Sequence, residues 1–172
     1  SIETDPEGSV WIGTSGGGLI RYDPFTGEMS HFRQSATDER GLSNDTVYDI
    51  LSDEYGNLWI GTSGGLNYYD KKRNSFRSFR SDPDDPATLS SDRIRDLCFG
   101  DDGRLWIATE YGGLNSMDTK SMKIRRHYGA GGVNIDKVVY SLAVTADGCV
   151  WAGTTSGIYI LNEKKRTCRA IN

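Results

Sequence analysis

The sequence predicts an all-β protein, a β-propeller of about four blades with four antiparallel strands in each, and three observations carry that prediction. The four tryptophans, Trp11, Trp59, Trp106 and Trp151, each stand in a near-identical phrase: GSVWIGT, GNLWIGT, GRLWIAT and GCVWAGT. Their spacings of 48, 47 and 45 residues are too long for a leucine-rich or ankyrin unit and fall in the range of a propeller blade. Between them, apolar alternation, Asp-Gly turns and glycine-bearing connections recur in one order, with no segment patterned as a long helix.

Strand one of each unit carries an apolar alternation, as in Val47, Ile50 and Leu51, then Ile94, Leu97 and Phe99, then Val139, Leu142 and Val144. The turn that follows reads Asp5-Pro-Glu-Gly8, Asp53-Glu-Tyr-Gly56, Asp101-Asp-Gly103 and Ala146-Asp-Gly148; Asp closes such a turn through its side chain and Gly supplies positive φ. Strand two bears the tryptophan and ends on Thr14, Thr62, Thr109 or Thr154. A glycine-bearing connection leads to strand three, LIRYD, LNYYD, LNSMD or IYILN, whose last residue (Asp23, Asp70, Asp118, Asn162) starts another turn. Strand four closes on Phe32, Phe79, Tyr128 and Ile171. The blades therefore read as about 1–33, 46–80, 93–128 and 138–172 of one propeller segment. A four-stranded meander cannot bury both faces alone, whereas sheets stacked radially can, and each tryptophan is expected to anchor that packing. A β-helix would turn more often and would not need a hairpin signal inside each unit.

With 36% hydrophobic and 10% aromatic residues over 172 positions, the composition is that of a folded globular protein. Twenty-one glycines against four prolines, evenly placed, fit tight turns between short strands. A net charge of −4 argues against nucleic acid as a partner, which would need a concentrated basic surface. Fourteen of the 20 basic residues nonetheless gather around strand four of each unit, at Arg33, then 71–80, 120–126 and 164–169, where they are expected to protect an open sheet edge. Cys98, Cys149 and Cys168 are odd in number and occupy non-equivalent places, so neither a disulfide framework nor a zinc site is indicated. No cofactor motif is present, and no apolar run is long enough for this segment to insert directly into a membrane. His31 and His127 precede the residue closing strand four and have no carboxylate or cysteine spaced to share a metal.

Ile2-Glu-Thr-Asp5 aligns with Ile50-Leu-Ser-Asp53, so the chain is expected to start within strand one. The segment is then either part of a larger ring of about seven blades or a small four-bladed unit. Open outer faces would pair with further blades of the same or a second chain, and a homodimer is expected.

The pattern D-x-x-G-x-L-W-I-G-T followed by G-G-L-x-x-Y-D resembles the two-component regulator propeller repeat of bacterial hybrid sensor proteins, most fully over residues 50–70. The fourth repeat departs from it, with Ala152 for Ile, Ile158 for Leu and Asn162 for Asp, after the glycine-rich stretch Gly129–Gly132. The resemblance implies a periplasmic, dimeric sensor of oligosaccharides or polysaccharide breakdown products. In that family the propellers are followed by a β-sandwich, a transmembrane helix and a histidine kinase module.

Repeated residues build the scaffold, so function is sought where one repeat deviates. In the connection between strands two and three, Glu110 and Tyr111 replace the Ser-Gly or Thr-Ser of other repeats, and a tyrosine face beside a carboxylate suits a sugar. Tyr48, Arg95 and Tyr140 are register-equivalent at the start of strand one and are candidates for the same surface alongside Arg40 or Arg93. Packing between blades is the alternative for the two tyrosines, and bonding to turn backbone for Asp49 and Asp96. A streptogramin-lyase-like enzyme would need a paired acid and base on that face, where no histidine stands, so a non-enzymatic binding module is expected. A scaffold for a protein partner on the basic rim is the remaining alternative. Asp101-Asp102-Gly103 lacks the further ligands of a calcium loop.

Overall fold

The computed structural model describes residues 1–38, 41–127, 137–165 and 167–171, in which sixteen strands form four antiparallel sheets. The first sheet holds β1 (Ile2–Thr4), β2 (Val10–Gly13), β3 (Leu19–Tyr22) and β4 (Met29–Phe32). The second holds β5 (Val47–Ser52), β6 (Leu58–Thr62), β7 (Gly65–Asp70) and β8 (Ser75–Phe79). In the third are β9 (Ile94–Phe99), β10 (Arg104–Thr109), β11 (Gly113–Asp118) and β12 (Lys123–His127). The fourth contains β13 (Val139–Val144), β14 (Val150–Thr154), β15 (Gly157–Asn162) and β16 (Thr167–Ile171). Each sheet pairs its strands in chain order, the blade of a β-propeller. No helix long and apolar enough to cross a membrane occurs among the described residues. Tyr128, the glycines of 129–132, Arg166 and Asn172 lie outside the described residues.

The repeated letters are mostly turn and close-contact chemistry. Thr14, Thr62, Thr109 and Thr154 each donate an Oγ1 hydrogen bond to a glycine carbonyl (Gly18, Gly65, Gly113, Gly157) at 2.8–2.9 Å, closing the turn between strands two and three. Asp5 and Asp53 each accept two backbone N–H bonds across the first hairpin. The bonds from Phe25 and Thr26 to Asp23, and from Ser121 and Lys120 to Asp118, stabilise the ionised carboxylates and lower both pKa values. The glycine of W-I-G-T is a packing requirement: a Cβ on Gly13 would lie 2.6 Å from Val47 Cγ1, and one on Gly61 2.8 Å from Ile94 Cγ2.

The chain divides into two compact units, Ser1–Arg80 with Asp92–Ile94, and Ser81–Ser91 with Arg95–Asn172. The first unit's core lies between its two sheets. Trp11, Leu19, Val47, Ile50, Leu58, Ile60, Tyr69 and Phe76 bury together there, with Leu42 of the connecting segment. In the second unit Trp106, Ala108, Leu114, Val139, Val150, Ala152, Leu161 and Cys168 form the equivalent core. Trp151 is only partly buried.

Each unit carries a charged clasp between its two sheets, and the clasps have opposite sign. Lys71, just after β7, pairs with Glu7 at 2.6 Å and Asp5 at 3.8 Å. Glu163, its counterpart after β15, pairs with Arg104 and, at 3.4 Å, with Arg125.

The segments joining sheets are held by side-chain hydrogen bonds to strands two and three. Ser43 donates its backbone N–H to Asn67 Oδ1 at 2.8 Å, and its hydroxyl lies 2.9 Å from both Thr62 Oγ1 and Asn67 Nδ2. Ser90, Asn115 and Thr109 repeat the arrangement in the second unit, with Ser90 N–H to Asn115 Oδ1 at 3.1 Å. Asn67 is fully buried, so Asn67→Ala strands the polar groups of Ser43 and is expected to cost about 2 kcal/mol in urea denaturation. A loss below about 0.5 kcal/mol would mean that the joint is not held there.

Part of the basic set, expected to protect an edge, instead holds backbone carbonyls. Arg126 donates Nη2 hydrogen bonds to the carbonyls of Asp82, Asp85 and Leu89 at 2.8–2.9 Å, holding that segment. Arg33 reaches the Gly16 carbonyl at 3.0 Å, and Arg80 the Ser43 carbonyl at 3.3 Å.

The strand-four register corrects one expectation. Leu19 pairs with Phe32, Leu66 with Phe79 and Leu114 with His127. His127 therefore occupies the ring position of the third blade. It lies 4.9 Å from the Trp106 ring, as Phe32 lies 5.8 Å from Trp11.

Candidate functional site

The second unit brings three of the candidate residues together. Glu110 follows β10 and is 8% exposed; its carboxylate forms an ion pair with the guanidinium of Arg95 on β9. The Arg95 guanidinium carbon also lies 5.8 Å from the ring centroid of Tyr140 on β13. Ser91 donates a 2.6 Å hydrogen bond to the Glu110 carbonyl, fixing the loop that carries the acid.

Tyr111 is the unusual member. Its φ is 78°, where the equal-length connection of the first blade has Gly16 at 89°. A β-carbon in the left-handed region costs roughly 1–2 kcal/mol. Tyr111 bears that strain with 61% of its surface exposed.

Both register-equivalent tyrosines sit on irregularities. The β5–β6 register shifts between Val47 and Asp49, and the β13–β14 register between Val139 and Ser141, leaving Tyr48 and Tyr140 at the shifts. A bulge re-aims the side chain it carries. Tyr140 emerges 49% exposed, whereas Tyr48, in the first unit, accepts a long 3.4 Å hydrogen bond from Arg93. Arg40 lies outside the described residues.

Asp49 and Asp96, the carboxylates of strand one, are each engaged by a neighbouring segment. Asp96 accepts the backbone N–H of Leu142 at 2.5 Å and Asp49 accepts the Ser1 hydroxyl at 3.1 Å. No group of three metal-ligating side chains is found among the described residues. The Tyr140 ring beside the Arg95–Glu110 pair, with exposed Tyr111 next to Glu110 in the chain, offers apolar surface close to oriented donors and acceptors. Sequence reasoning finds Glu110, Tyr111, Arg95 and Tyr140, but not Ser91 or the bulge, which appear only with strand register.

The family model of the two component regulator propeller matches residues 41–64 and 88–111. Both matches begin in the segment before strand one and take in the buried Ser43 and the partly buried Ser90. Among solved structures, the extracellular domain of a hybrid two component system from B. thetaiotaomicron is similar at 20% identity and a TM-score of 0.86, over 99% of this chain and 24% of that one. The extracellular domain of a one component system from the same organism is similar at 22% identity and a TM-score of 0.81, over 99% and 24%. Virginiamycin B lyase from Staphylococcus aureus shares 14% identity with a TM-score of 0.71, over 99% of this chain and 54% of the lyase. The chain thus spans about a quarter of the length of the extracellular domains it matches. No curated protein matches the sequence. Residues 41–64 and 88–111 are thus similar to the two-component regulator propeller repeat, and the chain has a β-propeller fold.

Proposed function

We propose that this chain is a non-catalytic, ligand-sensing propeller segment of a bacterial hybrid two-component sensor, exposed on the periplasmic or extracellular side, and that it recognises oligosaccharides. The full-length protein would pass the signal to a histidine kinase module, and would act as a dimer. Two observations support the sensing role: the repeat matched at 41–64 and 88–111, and similarity to extracellular domains of bacterial regulatory systems.

The observation that carries the site is the strained, exposed Tyr111 beside the Arg95–Glu110 pair and Tyr140. Tyr111 holds a left-handed conformation where glycine is preferred while most of its surface faces solvent. Its exposed ring can stack on a sugar face, while the ion pair, already neutralised, bonds neighbouring hydroxyls without burying a net charge.

The discriminating variant is Tyr111→Gly. It is expected to leave stability unchanged or raise it by up to about 1 kcal/mol, because the left-handed strain is released. The same change is expected to weaken oligosaccharide binding about tenfold, read by calorimetry against a panel of neutral and acidic oligosaccharides. Unchanged affinity for every oligosaccharide that binds the wild type would sink the site. No binding across the panel would sink the saccharide reading.

A further inference from the structure

The first unit contains a cavity of about 660 Å³, within the range of small-molecule sites, that neither the repeat nor the site above accounts for. One wall is β4 with the residues after it; the other is formed by Tyr69, Lys71 and Asn74.

Its origin is legible in register. Ser30 on β4 pairs with Arg21, and the residues at the same register in the other blades are Arg77, Arg125 and Arg169. Three blades put an arginine there; the first puts a serine, and the volume a long side chain would take is left open. The paired position is inverted too. Arg21 stands where the other blades have Tyr68, Ser116 and Ile160.

Arg21 is partly buried and oriented. Its Nε and Nη2 donate to Ser9 Oγ at 3.1 and 2.9 Å, and its guanidinium carbon lies 5.7 Å from the Trp11 ring centroid. Among the described residues no carboxylate lies within ion-pairing distance of it. The neighbouring cations differ: Lys71 is engaged by Glu7 and Asp5, and Arg33 lies 3.7 Å from Asp45. His31 lines the same cavity as an exposed imidazole, the hydroxyls of Ser30 and Ser35 and the amides of Gln34 and Asn74 add neutral polar groups, and the acidic Asp38 stands on the lining as well.

We propose that this cavity binds a small polyhydroxylated molecule bearing one oxyanion, with the oxyanion seated on Arg21. A pre-oriented guanidinium without a carboxylate partner is suited to pair with a carboxylate or a phosphate. Hydroxyls of the same ligand satisfy Ser30, Gln34 and Asn74. The site is separate from the Arg95–Glu110 group and does not depend on the role proposed for it.

The test titrates the 172-residue chain with galacturonate, glucose 6-phosphate and galactose, followed by calorimetry and by NMR of the bound sugar. Binding of one or both acids, with galactose at least about tenfold weaker, is expected, and the two acids tell a carboxylate from a phosphate ligand. Ser30→Arg restores the residue that the other three blades carry, so it is expected to fold with an unchanged melting temperature and to bind at least about tenfold more weakly. Arg21→Lys keeps the charge but loses the planar fork and is expected to reduce affinity several-fold. Failure of both acids to bind overturns the proposal. Binding that survives Ser30→Arg overturns it as well, and Tyr111→Gly, which lies in the other unit, is expected to leave it untouched.

Discussion

Trp11→Ala is expected to destabilise the protein by about 3–5 kcal/mol, while Trp151→Ala costs less than half as much, although both residues stand in the same repeated phrase. Trp11 is fully buried. It packs on Phe32 at 5.8 Å and on Tyr69 of the neighbouring sheet at 5.3 Å, so truncation empties space in the centre of the first unit's core. It also donates its indole N–H to Asp5 Oδ2 at 3.1 Å, and Asp5 is itself buried while capping the first hairpin. The variant therefore removes a hydrogen-bond donor from a buried carboxylate as well as an aromatic volume, and the two losses add. Trp151 is only partly buried, and Thr145 stands at the turn position that Asp5 fills. Partial burial scales down both the transfer and the cavity terms. Urea denaturation of the two variants, followed by the fluorescence of the remaining tryptophans, measures the difference; equal costs would show that the repeat phrase, and not local burial, sets the contribution.

The same contrast explains which parts of the structure can be read from sequence. Trp spacing, the Asp-Gly turns and the closing threonines are local or strictly periodic, so each repeat confirms the others, and the four sheets follow. Glu110 and Tyr111 are legible for the converse reason: they break a pattern that three other repeats keep. What sequence leaves hidden depends on register or on distant pairs. The tyrosine at a β-bulge is indistinguishable in sequence from one in a regular strand, and only the shift at Val139/Ser141 shows where Tyr140 is aimed. Ser43 and Asn67 are 24 residues apart, yet the signal was present: LS before strand one and LN opening strand three occur together in the second and third repeats. The cavity beside Arg21 is written in the same way, as a serine at a register where arginine recurs. Alignment on tryptophan misses it, because the connection between strands two and three is one residue longer in the first and third repeats, and the register of strand four is fixed by pairing.

His127 is the residue through which pH is expected to act on the second unit. It is 6% exposed, with Nε2 2.8 Å from Ser116 Oγ and its ring against Trp106. Glu163 Oε1 lies 3.7 Å from Nδ1 and taken alone would favour the imidazolium. That carboxylate is already shared with Arg104 and Arg125, however, so the charge facing the ring is net positive. Burial, reinforced by the two arginines, lowers the pKa from 6.5 to about 4. Between those values the unfolded chain holds a proton that the folded one excludes, so stability is full above pH 6.5 and falls as the pH drops toward about 4. A shift of this size corresponds to up to about 3 kcal/mol. Carboxylates such as Asp23 and Asp118, whose pKa values are lowered, also lose their contribution in acid, so the wild type alone does not isolate the histidine. His127→Phe does, because it installs the ring that the first two blades carry at this register and leaves the carboxylates in place. The variant loses the Ser116 hydrogen bond, which shifts its stability by a nearly constant amount at every pH. The difference between wild type and variant in urea midpoint, measured from pH 7 down to 4, should therefore decline steadily, and two parallel profiles would show that His127 does not titrate as a buried neutral ring.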